Sequence, residues 1–396
     1  MFALARLTPK PLPKLAALAS ALALAACDAP VAGLGQGPQT GQQIDPGQPV
    51  PVALLVPGGT GNPHLEELSK SLINAAKMAA ADAKGAQIDL RVYDTAGDAG
   101  QAAAQADKAV AEGAKIILGP LFAEAANAAG NAVKDNNVNV LAFSNNAEIA
   151  GGNVFVLGNT FDNVADRLIR FGKRQGKKRI LLVAENDVAG QIGAHAVERA
   201  VARNGVTLAG KASHAVSKTG IDAIVPQVAA VAKDRKADAV FMTANAEAVL
   251  PYLTDRLHEQ GVTSATAQFM GLTRWDTPAT RLELPGVQGG WFAIPDTTLK
   301  SAFEQRYRQT YGSAPHDLAP LAYDGVAAIA SLAARGRKDA LTTAGLTRSG
   351  GFAGVAGTFR LRADGTNERG LSVATIRNKQ VVILDPAPRS FGGAGF

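Results

Sequence analysis

The 396 residues include 40 basic and 34 acidic side chains, five histidines and one cysteine, giving a formal charge of +6 and a sequence pI near 9.4. The length suits two domains, and a 47% hydrophobic content rich in Ala and Gly, with only 5% aromatics, suits small-residue helices laid on sheets. The basic excess does not argue for nucleic acid: Arg6, Lys10 and Lys14 precede a predicted cleavage site, and without them 37 basic side chains face 34 acidic ones.

The chain opens with those three cations, followed over residues 15–26 by small apolar residues and one serine. That run is too short to span a hydrocarbon core of ~30 Å and reads as the apolar region of a signal peptide, residues 1–26. Leu24-Ala25-Ala26-Cys27 resembles the lipobox of bacterial lipoproteins. The resemblance implies a diacylglycerol on the Cys27 thiol, cleavage before it and a membrane anchor worth ~0.8 kcal/mol per buried CH₂. No thiol then remains for disulfides, catalysis or metal binding. The alternative is an ordinary secretory signal that happens to end in cysteine. Residues 27–49 are expected to be the lipidated cysteine and a Gly-, Pro- and Gln-rich flexible tether, with a reach of roughly 25 Å for about 20 residues.

From Val50 the pattern turns to strand and helix in alternation. Strands are predicted at 52–56, 88–93, 115–118 and 138–143, then at 179–183, 207–212, 239–242 and 268–270. Most are short continuous apolar runs, as in parallel strands buried on both faces. Helices are predicted near 64–84, 98–112, 123–135, 161–175, 189–203, 221–235 and 245–260. A further strand at 286–294, helices at 299–311 and 317–335, and strands at 358–362, 371–376 and 381–384 complete the chain. This alternation predicts an α/β fold of two Rossmann-like, doubly wound lobes around an interdomain cleft, with several hinge crossings. The expected division is 50–158 plus 295–346 for the first lobe, 159–294 plus 347–386 for the second, and a tail at 387–396. Gly158-Asn159-Thr160 is the natural hinge.

Ligands of open α/β sheets sit beyond the carboxyl ends of strands. This selects Gly59 and Thr60, Asp94 and Thr95, Leu121 and Phe122, and Ser144, Asn145 and Asn146 from the first lobe. Glu185, Asn186, Thr243, Asn245, Thr273, Arg274 and Trp275 are selected from the second. The N–H groups around Gly58-Gly59-Thr60-Gly61 either hold an anion or make a tight strand-to-helix turn. Ser144-Asn145-Asn146 suits a neutral polar ligand, or else caps a helix. Trp275 beside Arg274 is either an exposed lid or core packing. The basic run Lys173, Arg174, Lys177, Lys178 and Arg179 complements a helix C-terminus or contacts anionic lipid or peptidoglycan. No catalytic motif occurs, and His64, His195, His214, His258 and His316 lack metal-ligand spacing. No catalytic residue, metal or cofactor is therefore expected.

Val52-Ala53-Leu54-Leu55-Val56-Pro57, Val92-Tyr93-Asp94-Thr95, Gly119-Pro120-Leu121 and Pro320-Leu321-Ala322-Tyr323-Asp324 together resemble the type I periplasmic solute-binding fold of leucine-binding-protein-like receptors. Within that group, Tyr93-Asp94-Thr95, Gly119-Pro120-Leu121-Phe122 and Val140-Leu141-Ala142-Phe143-Ser144-Asn145 look most like the penicillin-binding protein activator lipoproteins. Two departures stand out. Amino-acid receptors hold the ligand carboxylate with a Ser/Thr-rich turn where this chain has Leu121-Phe122-Ala123-Glu124. They hold the ammonium with an acidic residue where this chain has Met270-Gly271-Leu272-Thr273-Arg274-Trp275. A zwitterion's charges would be poorly paired there, which is costly once buried. Free amino acids are therefore expected to bind weakly.

Two functions follow. The first is a non-enzymatic activator docking on a periplasmic peptidoglycan synthase, a penicillin-binding protein, through Trp275 and Arg274. The second is the receptor of an ABC importer of the amino-acid class, partnered by a permease and holding a small polar ligand. An aspartate directly after the lipidated cysteine, Asp28, resembles an inner-membrane retention signal and favours the second. Both place the chain in the periplasm on a lipid anchor.

Overall fold

The computed structural model describes residues 40–244 and 249–391. The signal segment, Cys27 and Asn245 lie outside the described residues.

The first sheet is built by β1 (Val50–Val56), α1 (Pro63–Asp82), β2 (Ile88–Asp94), α2 (Ala99–Ala111), β3 (Ile116–Leu118), α3 (Ala123–Val133), β4 (Asn139–Ala142) and β5 (Val154–Val156). Its strands run parallel in the order β2-β1-β3-β4-β5. β1, β3 and β4 are almost wholly buried, because helices cover both faces of a parallel sheet. Local chemistry sets the helix starts. Asn62 accepts the His64 N–H before Pro63 opens α1, and Asp98 accepts the Gln101 N–H to open α2. Ala102, Ala106 and Ala109 of α2 and Ala125, Ala126 and Ala129 of α3 share one core cluster, and the abundant alanines let these helices pack closely.

The second series is α4 (Phe161–Arg174), β6 (Arg179–Glu185), α5 (Val188–Asn204), β7 (Thr207–His214), α6 (Lys218–Asp234), β8 (Ala239–Met242), α7 (Leu250–Glu259), β9 (Gln268–Gly271) and β10 (Trp291–Ile294). The chain then passes through α8 (Thr297–Tyr311), α9 (Ala319–Ala333), α10 (Thr343–Leu346), the hairpin β11 (Phe359–Leu361) and β12 (Asn367–Arg369), and β13 (Ser372–Arg377) and β14 (Gln380–Asp385). The second sheet runs β14-β13-β10-β9-β8-β6-β7, with β13 and β14 antiparallel at one edge. Phe303, Tyr307, Leu321, Val326 and Ile329 of α8 and α9 pack into the first lobe's core, so the chain crosses between the lobes more than once.

Those crossings are tied by buried polar groups. Asn367 Nδ2 donates to the Val156 and Gly158 carbonyls at 2.7 and 2.9 Å, and its Oδ1 accepts from Asn163. Arg369 Nε donates to the Leu157 carbonyl at 2.7 Å, while its guanidinium pairs with the fully buried Asp324 of α9. Val355 N–H donates to the other Asp324 oxygen at 2.7 Å.

Three expectations change. Residues 40–49 are not free tether: Ile44 is buried, its N–H donates to Lys338 O at 2.9 Å, and Thr40 Oγ1 donates to Asn139 Oδ1 at 2.6 Å. The physical reason is Asn139, buried at the start of β4, whose amide takes its partners from Thr40 and Leu341. Within 347–386, Phe352, Phe359 and Leu361 join the first lobe's core rather than the second. The predicted strand 286–294 begins only at Trp291, because Pro285–Val287 forms a 3₁₀ turn.

Candidate functional site

A cavity of about 450 Å³ lies at the carboxyl ends of β3 and β4, where the first crossing leaves β5. Leu121, Phe122, Phe143, Leu318, Pro320 and Leu321 form its apolar wall. Ser144, Asn145, Asn146, Asn159, Lys300, Asp317 and Arg369 supply its polar atoms. The loop after β4 is shaped by its own side chains. Ser144 Oγ accepts the Asn146 N–H at 3.1 Å, and Asn146 Oδ1 accepts the Glu148 N–H at 2.9 Å. Asn146 thus caps a short turn, whereas Asn145 is exposed and lines the cavity. Gly158 N–H donates to Ser144 O at 3.1 Å, an approach so close that a Cβ at 158 would overlap the Ser144 backbone.

The charged edge comes from α8 and the turn before α9. Lys300 Nζ pairs with Glu304 and, at 3.0 Å, with Asp317. Burial pushes the Lys300 ammonium down, but those two carboxylates outweigh it and hold it above its ordinary value. Burial likewise pushes Asp317 up, and Lys300, with help from Arg274 and His316, holds it below the usual carboxylate range. Arg274 belongs to the second lobe, so its charge acts on the cavity rim across the cleft. Its own guanidinium is held by Asp276 at 2.9 and 2.5 Å and raised mainly by that bond. Deeper, burial holds Arg369 below its ordinary value against the pull of Asp324.

Of the predicted residues, Leu121, Phe122, Ser144, Asn145 and Asn146 meet at this cavity. The others do not line it. The N–H groups of Gly59, Thr60 and Gly61 all donate to Glu66 Oε1, at 2.9, 2.9 and 3.2 Å. The turn is an anion seat, filled by a carboxylate of α1 itself. Thr95 is buried and its hydroxyl donates to Val56 O at 3.0 Å, while Asp94 is exposed beside Gly58 and Gly59. In the second lobe, Thr243 Oγ1 accepts the Glu185 N–H at 3.0 Å, and Thr273 Oγ1 donates to Ala244 O at 3.2 Å. Asn186 is exposed, its N–H donating to His214 O.

Trp275 is not a lid. It is fully buried, stacks on Phe292 with ring centroids 6.4 Å apart, and fills the space over Gly271 and Gly290. Two glycines leave room for an indole that no larger residues would admit. Sequence reasoning also missed Asn159, Lys300, Asp317 and Arg369. Asn159 carries the plainest signal: its buried Oδ1 has no hydrogen-bond partner among the described residues. The charge partners absent from the strand ends are thus present on α8 and in the turn before α9.

Among the described residues no cluster of His, Cys, Asp and Glu has the makings of a metal site, and no helix is long and apolar enough to cross a membrane. No curated protein matches the chain in sequence. Similar solved structures include a branched-chain amino acid ABC transporter protein from Rhodospirillum rubrum, described as putative, at 17% identity and TM-score 0.70, covering 85% of this chain and 99% of that one. An ABC transporter substrate-binding protein from Desulfitobacterium hafniense in complex with Leu shares 16% identity at TM-score 0.61, covering 85% of this chain and 100% of that one. A solute-binding protein from R. palustris in complex with benzoate shares 16% identity at TM-score 0.54, covering 88% and 99%. At these identities the likeness is one of fold. The periplasmic binding protein family model matches residues 49–380, most of the chain. The chain belongs to the periplasmic binding protein family.

Proposed function

We propose that the chain is the solute-binding receptor of an ABC importer, non-enzymatic and partnered by a permease, with the cavity between Leu121, Ser144 and Leu321 as its ligand seat. The observation that carries this is the cavity itself: about 450 Å³, apolar on one wall and polar on the other, at the strand ends where open α/β sheets take ligands. The volume and wall suit a small organic molecule with an apolar body and one polar or charged head. Leucine and benzoate, held by two similar structures, are both of that kind. Lys300 offers a cation to such a head, and Asn159 Oδ1 an unused acceptor.

A cell-wall activator is favoured less, since Trp275, its expected docking anchor, is buried. The lipid anchor at Cys27 belongs to this proposal as the means of holding the receptor near its permease.

The test is a thermal-shift screen of the chain from Asp28 onward against apolar amino acids and aliphatic or aromatic carboxylates. A ligand at 100 times its Kd adds ~2.7 kcal/mol, an easily seen shift. Ser144→Trp, which fills the cavity, should abolish it. If no compound shifts the wild type, or Ser144→Trp leaves every shift intact, the cavity is not the seat.

A further inference from the structure

The second lobe has a strongly basic pole on the side away from the cleft. Four connections meet there, each taken from two residues before a helix end to the first residue of the next strand: 172–179, 202–207, 232–239 and 257–268. Their 34 residues hold nine of the chain's 40 basic side chains and three of its 34 acidic ones. Without Arg6, Lys10 and Lys14 the remaining chain carries 28 basic and 31 acidic side chains, so the net positive charge beyond the predicted cleavage site is localised at this pole. The segments are in contact. Lys178 and Arg179 N–H groups donate to Asp238 Oδ2, both at 2.9 Å; Arg179 Nε donates to Arg235 O at 2.8 Å; and Lys173 Nζ donates to Asn204 O at 2.6 Å.

Helix dipoles do not account for this. The matching connections of the first lobe, 80–88, 109–116 and 131–139, also follow helix C-termini, yet hold three basic residues (Lys84, Lys115, Lys134) and three acidic ones (Asp82, Glu112, Asp135). Nor do internal ion pairs consume the charge. Arg174 pairs with Asp385, and Arg203 with Asp162 and Asp166. Lys178, Lys233, Arg235 and Lys236 are exposed and have no ion-pair partner among the described residues.

We infer that this pole is an electrostatic contact site for an anionic phospholipid surface. Five of the nine cations are lysines, strongly hydrated point charges suited to a diffuse anionic layer rather than to one bidentate ligand. The 34 residues contain no Phe, Tyr or Trp, so the pole lacks the large stacking platform that single-stranded nucleic acid uses. The signal features ahead of residue 28 place the chain beside a membrane, and an acyl anchor joined to a polybasic patch holds more firmly than either. The first described residues, Thr40 to Ile44, dock on the opposite pole, at Asn139 and Lys338. Engaging both contacts therefore lays both lobes against one membrane. This inference does not depend on what the cavity binds.

The test is co-sedimentation of the chain from Asp28 onward, which contains every described contact and lacks the acylation site. Vesicles of phosphatidylcholine with about one third phosphatidylglycerol are compared with pure phosphatidylcholine. Binding is expected only to the anionic vesicles, and to fade at about 0.5 M salt. Lys178→Glu, Lys233→Glu and Lys236→Glu together should weaken it at least tenfold. Lys84→Glu, Lys115→Glu and Lys134→Glu, an equal change in net charge on the other pole, should weaken it less than threefold. Circular dichroism confirms that both variants fold; should the first fail to, single substitutions at Lys178 and Lys236 replace it. No binding to anionic vesicles, equal loss in the two variants, or retention on peptidoglycan sacculi without binding to vesicles overturns the inference.

Discussion

Trp275 offers the sharpest test of how the second lobe is packed. Its side chain is fully buried, against Phe292 on one side and Gly271 and Gly290 on the other. Burying roughly 200 Å² of indole at ~25 cal/mol per Å² stabilises by about 5 kcal/mol, and large-to-small changes of this kind cost ~3–5 kcal/mol. Trp275→Ala should therefore destabilise by about 4 kcal/mol. A Cβ added at Gly290 would overlap the ring, so Gly290→Ala alone should cost ~1–3 kcal/mol by overpacking. In the double variant that clash is gone and the new methyl enters the vacated space. The double variant should then be no less stable than Trp275→Ala alone, a coupling of ~1–3 kcal/mol. Urea unfolding of the chain from Asp28 onward, followed by far-ultraviolet circular dichroism, measures all four corners of the cycle. A Trp275→Ala cost under about 1 kcal/mol, or additive effects, would refute this packing.

Three further outcomes are expected. Burial pushes Asp324 up to about 6 against the pull of Arg369. A folded value above the ordinary carboxylate value of 3.8 means that this group's contribution to stability is complete below about pH 4 and lost as pH rises through 6. The Tm difference between wild type and Asp324→Asn should thus change between about pH 4 and 6.5 and flatten above it; a constant difference across that window contradicts the reading. Ile44→Ser should cost ~1–3 kcal/mol and speed proteolysis within 40–49 while the core from Val50 resists, and unchanged cleavage would show that the segment does not dock. Cys27→Ser should abolish incorporation of labelled fatty acid, and equal labelling of wild type and variant would exclude lipidation there.

Much of the fold was legible because its signals are local. Continuous apolar runs such as residues 52–56 and 239–242 mark buried parallel strands, and Asn62, Asp98, Thr160, Asp187 and Ser217 each cap the helix that follows. β5 and β12 were not foreseen. Each is three residues long, and pairing with the strand before it, rather than any period of its own, makes it a strand. The first half of the site was readable too, since Leu121, Phe122 and 144–146 lie just past strand ends. Lys300, Asp317 and Asn159 were not, because a lysine on a helix face or an asparagine in a hinge looks the same whether it meets solvent or a cavity.

The sequence by itself determined the alternation of strand and helix, the two lobes and the helix starts, because capping, burial period and strand length act between residues close in the chain. Tertiary structure alone decided that Glu66 fills the glycine turn, that Trp275 turns inward onto Gly271 and Gly290, and that residues 40–44 close over Asn139. It also decided that the nine cations of four separate connections share one pole. For residues 40–44 and for the four connections the partners lie tens of residues apart, and even where they are close, as with Glu66, residue type states what a side chain needs without stating which group supplies it.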